Sequence, residues 1–221
     1  VSLKAPITGP FTLASCIETG PGVFPFNRAI SDLKLVEQIA RILDKSCREA
    51  SEQADLVSID EPILGIMVGG RVALKCSEED IIEVYNTVKK ACGDKAAGTH
   101  ICGRISPRLA KILLQTDLGF LSHEFYDTPT NMDVYVPKEV QQSGKILSVG
   151  CLSSKTPRIE SPEEILAVME KFRKYGDTLM FTPDCGFRPL IVECSKEKGY
   201  ETSMRKLRNL AEAARRFKAA Q

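Results

Sequence analysis

The chain has 221 residues, 43% of them hydrophobic and 27% charged, so it can bury one substantial core and lacks the composition of a disordered protein. Thirty basic residues against 29 acidic ones leave a formal charge of +1, which argues against nucleic acid or an anionic membrane as partner and for small molecules or another protein. No apolar run is long enough to span a bilayer, Val1-Ser2-Leu3-Lys4 does not read as a signal peptide, and eight scattered cysteines point to a reduced, cytoplasmic location.

In chain order, strand character covers residues 3–7 and is followed by Thr8-Gly9-Pro10, which reads as a tight turn. A helix over 32–49 places Leu33, Val36, Ile39, Ala40 and Leu43 on one face. A strand at 56–59 ends in Asp60-Glu61-Pro62, where Glu61 faces away from Asp60 by alternation. Ser77 opens the next helix with acids in its first turn. Strands at 97–102, 120–124, 146–151 and 178–182 alternate with helices opened by Ser106-Pro107 and Ser161-Pro162. The last helix, 200–220, carries Arg205, Lys206, Arg208, Arg215, Arg216 and Lys218, which read as a solvated face. Cys47 and Cys92 fall in helical patterns as small buried hydrophobes.

Strands separated by helices imply a parallel sheet with crossover connections. A doubly wound sheet and a β/α barrel both fit, but the polar clusters all sit at carboxyl ends of strands, which converge on one mouth only in a barrel. No glycine-rich dinucleotide fingerprint or phosphate loop is present. The expected class is therefore α/β, a (β/α)8 TIM-type barrel, although only six strands can be counted.

His100 and Cys102 share one face of a strand and can present an imidazole and a thiolate to one ion; Cys185 follows in Thr182-Pro183-Asp184-Cys185-Gly186 at a later strand end. Zinc is the ion that fits. Alternation puts Ser122 and Glu124 on one face and His123 on the other, so either His123 or Glu124 completes the set, with the strand alone favouring neither. Asp184 could orient Cys185 or simply serve the turn.

These residues resemble the catalytic module of the cobalamin-independent methionine synthase family, within a superfamily of zinc thiol methyltransferases and uroporphyrinogen decarboxylase-like barrels. The likeness runs through Thr8-Gly9-Pro10-Phe11-Thr12, Ile59-Asp60-Glu61-Pro62, His100-Ile101-Cys102, Glu124, Thr156-Pro157-Arg158 and Pro183-Asp184-Cys185-Gly186. It implies zinc held by His100, Cys102, Glu124 and Cys185, with Asp60 on the amino group of homocysteine. It also implies a zinc methyltransferase that activates homocysteine as a thiolate and converts it to methionine.

Two departures concern the methyl donor. Where folate-using members carry a tryptophan near the pterin, this chain has Cys16; where they carry a proton-donating histidine, it has Lys155. A lysine of ordinary pKa, about 10.4, is a poor acid at neutral pH, so the expected donor is a methylcorrinoid, free or on a partner protein, rather than methyltetrahydrofolate. The family's first strand and a homocysteine-binding glutamate precede the matching segment, so residues 1–221 are expected to form a single barrel domain lacking its N-terminal strand or strands. Other readings are a zinc methyltransferase acting on coenzyme M, a folate-dependent methionine synthase, and a zinc-stabilised barrel that binds a partner. Asp60 argues against coenzyme M, whose sulfonate has no amino group.

Overall fold

The computed structural model describes residues 2–220. Its elements in order are β1 (Lys4–Thr8), α1 (Pro10–Cys16), α2 (Leu33–Gln53), β2 (Leu56–Asp60), α3 (Pro62–Met67), α4 (Glu78–Ala91), β3 (Ala96–Ile101), α5 (Pro107–Gln115), β4 (Phe120–His123), α6 (Pro137–Ser143), β5 (Ile146–Gly150), α7 (Pro162–Glu170), β6 (Leu179–Thr182) and α8 (Lys196–Ala219). Helix starts follow local chemistry. Asp32 accepts from the Lys34 N–H at α2, Ser77 and Asp80 form a reciprocal capping box at α4, Ser106 accepts from the Leu109 N–H at α5, and Ser161 and Glu164 repeat the box at α7. Helix α8 starts earlier than residue 200, because Ser195 caps it by accepting from the Lys198 N–H. Helices α1, α3 and α6 are six or seven residues long, too short to show a helical period, and each opens with proline at its start. The expected tight turn at Thr8-Gly9-Pro10 is thus the entry to α1.

The six strands form one sheet in the order β1-β2-β3-β4-β5-β6, every neighbouring pair parallel. A doubly wound sheet reverses its strand order at a switch point; here each new strand is added on the same side, which is the winding of a β/α barrel. Cys102, Glu124 and Cys151, expected as last strand residues, lie one residue beyond the strand ends, where the ladder between neighbours has already stopped.

The two faces of the sheet differ. Val57, Ile59, Ala97, Ile101, Leu121, Leu147 and Val149 pack with α2, α4 and α5 residues in the main apolar core. On this face the Thr99 hydroxyl donates to the Ile59 carbonyl at 2.6 Å and meets the Tyr85 hydroxyl at 3.0 Å, so its polar atoms are satisfied. The opposite face carries Ser58, Gly98, His100, Phe120, Ser122 and Ser148, a row fixed by the pairings Ser58 with Gly98, Gly98 with Phe120, His100 with Ser122, and Ser122 with Ser148. The Phe120 ring occupies the space where a side chain on Gly98 would sit, filling the amino-terminal layer. The carboxyl-terminal layer is left to short polar side chains.

Candidate metal centre

At that polar end, Ser122 Oγ lies 3.3 Å from His100 Nδ1, and His100 Nε2 points to Cys102 Sγ at 3.1 Å. Beyond β6, Cys185 Sγ reaches within 3.4 Å of Cys102 Sγ. The three ligand atoms lie within 4.8 Å of one another, which makes a group able to hold a metal ion. A tetrahedral site with bonds of about 2.0–2.3 Å has edges of about 3.3–3.8 Å, so the observed contacts need to open by only a few tenths of an ångström. One nitrogen and two sulfurs suit a borderline-soft ion such as zinc. Hydrogen bonding from Cys102, and then from His100, holds the Cys185 thiol far below its ordinary range, to about 4, while Cys185 pushes the Cys102 thiol up.

His123 is buried on the apolar side: Nε2 meets the Tyr135 hydroxyl at 2.8 Å and Nδ1 the Ile101 carbonyl at 3.3 Å, and burial pushes its pKa down to about 3. Glu124, following the inner-row residue Ser122 by two, is also buried, and its Oε2 accepts from Lys155 Nζ at 2.9 Å and from Thr128 Oγ1 at 3.1 Å. It is not part of the compact His/Cys/Cys group. Asp60 ends β2 half-buried, with Ser58 Oγ donating to its Oδ1 at 2.6 Å; burial raises its pKa above the ordinary carboxylate value, against the opposing pull of the Ser58 hydrogen bond.

Two buried carboxylates hold the frame. Glu61 accepts from the Phe11 and Thr12 N–H groups at 2.8 and 2.7 Å and from the Thr12 hydroxyl at 2.6 Å, capping the start of α1 from the end of β2. A side chain on Gly9 would run into that carboxylate. Glu61 therefore acts as a cap on α1. Asp184, next to Cys185, accepts from the N–H groups of Phe125, Tyr126 and Asp127 at 3.0, 3.0 and 2.6 Å. It thereby ties the end of β6 to the segment after Glu124, across Gly150, where any side chain would collide with it.

A family profile described as the catalytic domain of cobalamin-independent synthase matches residues 2–216. The chain belongs to this family. It is 28% identical over 230 residues to a methionine synthase of Methanocaldococcus jannaschii, covering 99% of this chain and 66% of that protein. It is 30% identical over 217 residues to one of Methanothermobacter thermautotrophicus, covering 96% and 62%. The chain thus spans slightly under two thirds of the length of these curated relatives. Its fold superposes on a B12-independent methionine synthase of Shewanella sp. W3-18-1, solved with selenomethionine, with a TM-score of 0.73 at 20% identity over 100% of this chain and 64% of that one. A methyltransferase from Methanosarcina mazei gives 0.61 at 17% identity, over 96% and 59%. These solved structures extend the barrel assignment to the whole chain.

Two pairings had no signal in the sequence. Lys155, singled out above only as a departure on the methyl-donor side, pairs with Glu124, 31 residues earlier. Lys206, expected on a solvated face, is fully buried; its Nζ donates to the Ser153 carbonyl at 2.9 Å and Glu160 Oε2 at 2.8 Å. Among the described residues no helix is long and apolar enough to cross a membrane.

Proposed function

We propose that residues 1–221 work as the catalytic module of a methionine synthase, a methyltransferase that moves a methyl group onto the sulfur of homocysteine, with zinc held by His100, Cys102, Cys185 and Glu124. The observation that carries this reading is the meeting of one imidazole and two thiols at the carboxyl end of a barrel-type sheet in a chain of this family. When bound, zinc would supply the positive charge that lets a thiol of ordinary pKa, about 8.5, shed its proton at neutral pH.

The chain's own residues bind and orient. Ser122 engages His100 Nδ1, which leaves Nε2 facing the thiols as the ligand nitrogen. Ser58 occupies Asp60 Oδ1, so Oδ2 is the oxygen that would meet the ammonium group of homocysteine. Asp184 sets the direction of Cys185 through the three amides it binds. Asp60 on β2, His100 on β3, Ser122 on β4 and Cys185 in the turn after β6 all lie at the carboxyl end of the sheet, at one mouth.

The donor we infer is a methylcorrinoid, free or on a partner protein. Cys16 is exposed at the end of α1 and offers no aromatic surface for a pterin. Lys155 is held protonated by its hydrogen bond to Glu124, which raises its pKa and makes it a still poorer acid for a folate leaving group. A corrinoid leaves without needing a proton. The test is to give the zinc-loaded chain homocysteine with methylcobalamin or with methyltetrahydrofolate and to measure methionine. Methionine from methylcobalamin alone supports both parts; turnover with the folate alone overturns the donor, and no methionine from either overturns the acceptor.

A further inference from the structure

The ion pair between Lys155 and Glu124 has a consequence for the metal centre. Glu124 is 2% exposed, whereas the Lys155 side chain is 53% exposed. The lysine's backbone is well anchored: Ser153 Oγ accepts from the Lys155 and Thr156 N–H groups at 3.1 and 3.3 Å and donates to Asp127 Oδ2 at 2.8 Å. Glu160 accepts from the Ser153 N–H at 3.2 Å, and Lys206 fastens both Glu160 and the Ser153 carbonyl to α8. A fixed backbone thus carries an ammonium group on a flexible stem, directed at the one proposed ligand that stands outside the His/Cys/Cys group.

Building on the zinc reading above, we propose that Lys155 is a positioning residue that competes with the metal for the Glu124 carboxylate and receives that carboxylate when a substrate thiol takes its place. A buried carboxylate without a cation is costly, so one that leaves a metal needs another positive partner within reach. Lys155 is that partner, at 2.9 Å. Its own exposure keeps the pair weak, so it biases the exchange without locking it. Thr128 Oγ1, donating to the same oxygen at 3.1 Å, keeps the carboxylate on the Lys155 side of the pocket. The acceptor is a small thiol that loses its proton to solvent as it binds, because only an anion replaces the carboxylate at the metal without changing the charge of the site.

The experiment uses the full chain loaded with zinc, alongside Lys155→Met, Lys155→Gln, Lys155→Arg, Glu124→Gln and the double variant Lys155→Met with Glu124→Gln. Zinc affinity is read by chelator competition, and the sulfur and oxygen ligands are counted by zinc-edge X-ray absorption with and without homocysteine. Lys155→Met and Lys155→Gln are expected to bind zinc about two- to fivefold more tightly, the scale of an ion pair with one half-exposed member. They should keep an oxygen ligand at homocysteine concentrations where the unaltered chain has exchanged it for a third sulfur. Lys155→Arg should behave like the unaltered chain, and in the Glu124→Gln background Lys155→Met should leave affinity unchanged. Unchanged or weaker zinc binding in folded Lys155→Met and Lys155→Gln overturns the proposal, as does a gain that persists without Glu124, which would be simple repulsion through space. An unaltered chain that binds no zinc, or whose zinc survives Cys102→Ser and Cys185→Ser, instead overturns the zinc reading, and the exchange with it.

Discussion

The sulfur atoms of Cys102 and Cys185 lie 3.4 Å apart although 83 residues separate them in the chain. Neither is in a disulfide, and a disulfide bond is about 2.0 Å long, so a small movement joins them. In the metal-free chain a mild oxidant such as diamide should take two electrons and two protons from this pair and leave a Cys102–Cys185 disulfide, found by peptide mapping without reductant. Saturating zinc should protect both thiols. Cys102→Ser and Cys185→Ser should each weaken zinc binding by at least about a hundredfold, because a hydroxyl does not replace a thiolate at such a site.

Asp184→Ala removes the acceptor for three backbone N–H groups in a buried place. Stability should fall by about 2–4 kcal/mol in urea unfolding, and zinc affinity should fall with it because Cys185 loses its anchor. Gly150→Ala should act in the same direction, since its methyl group displaces the same carboxylate. If Asp184→Ala lost stability and kept full zinc affinity, the carboxylate would serve the turn alone.

Burial pushes the Glu61 carboxyl from 4.5 up to about 7, against the pull of three hydrogen bonds that favour its ionised form. The folded chain therefore holds this proton more tightly than the unfolded chain, and its contribution to stability declines as pH rises from about 4.5 through 7. The whole decline is about 3 kcal/mol at about 1.4 kcal/mol per pH unit. Unfolding free energies of the unaltered chain should fall more steeply between pH 5 and 8 than those of Glu61→Gln. Equal slopes would mean that the three donors keep Glu61 ionised throughout.

Lys206→Met leaves the Glu160 carboxylate buried without its cation and should cost about 3–5 kcal/mol in chemical unfolding. Adding Glu160→Leu should recover a measurable part of that loss, since partners in one buried pair are not additive. Lys155 hangs from the same segment through Ser153, so the single variant should also blunt the effect of Lys155→Met on zinc affinity.

The parts of the fold that were legible in the sequence are those written by neighbours along the chain. Ser77, Ser106 and Ser161 announce their helices because a cap acts within three residues, and the strands show as short apolar runs. His100 and Cys102 read as a pair because the spacing of two needs no knowledge of the rest of the fold. Alternation turns Glu61 away from Asp60, yet its role is hidden in the sequence: the Phe11 and Thr12 amides it binds lie 50 and 49 residues earlier. Lys206 was misread because a helix pattern counts every lysine as solvated, and its partner Glu160 lies 46 residues away. The choice between His123 and Glu124 depends on which face of β4 turns inward, and that is set by the pairing of Ser122 with His100 across strands.

The order of the strands also has a meaning in time. Because the sheet is laid down from β1 to β6 without reversal, synthesis delivers His100 and Cys102 well before Cys185. At about 5–20 residues per second, the 83-residue interval lasts several seconds, during which a growing chain offers an ion His100, Cys102 and, on the zinc reading above, Glu124, but not the second thiolate. Tight metal capture thus waits for Cys185, and an ion present earlier would find only a looser perch that the arrival of β6 and its following turn converts into a site.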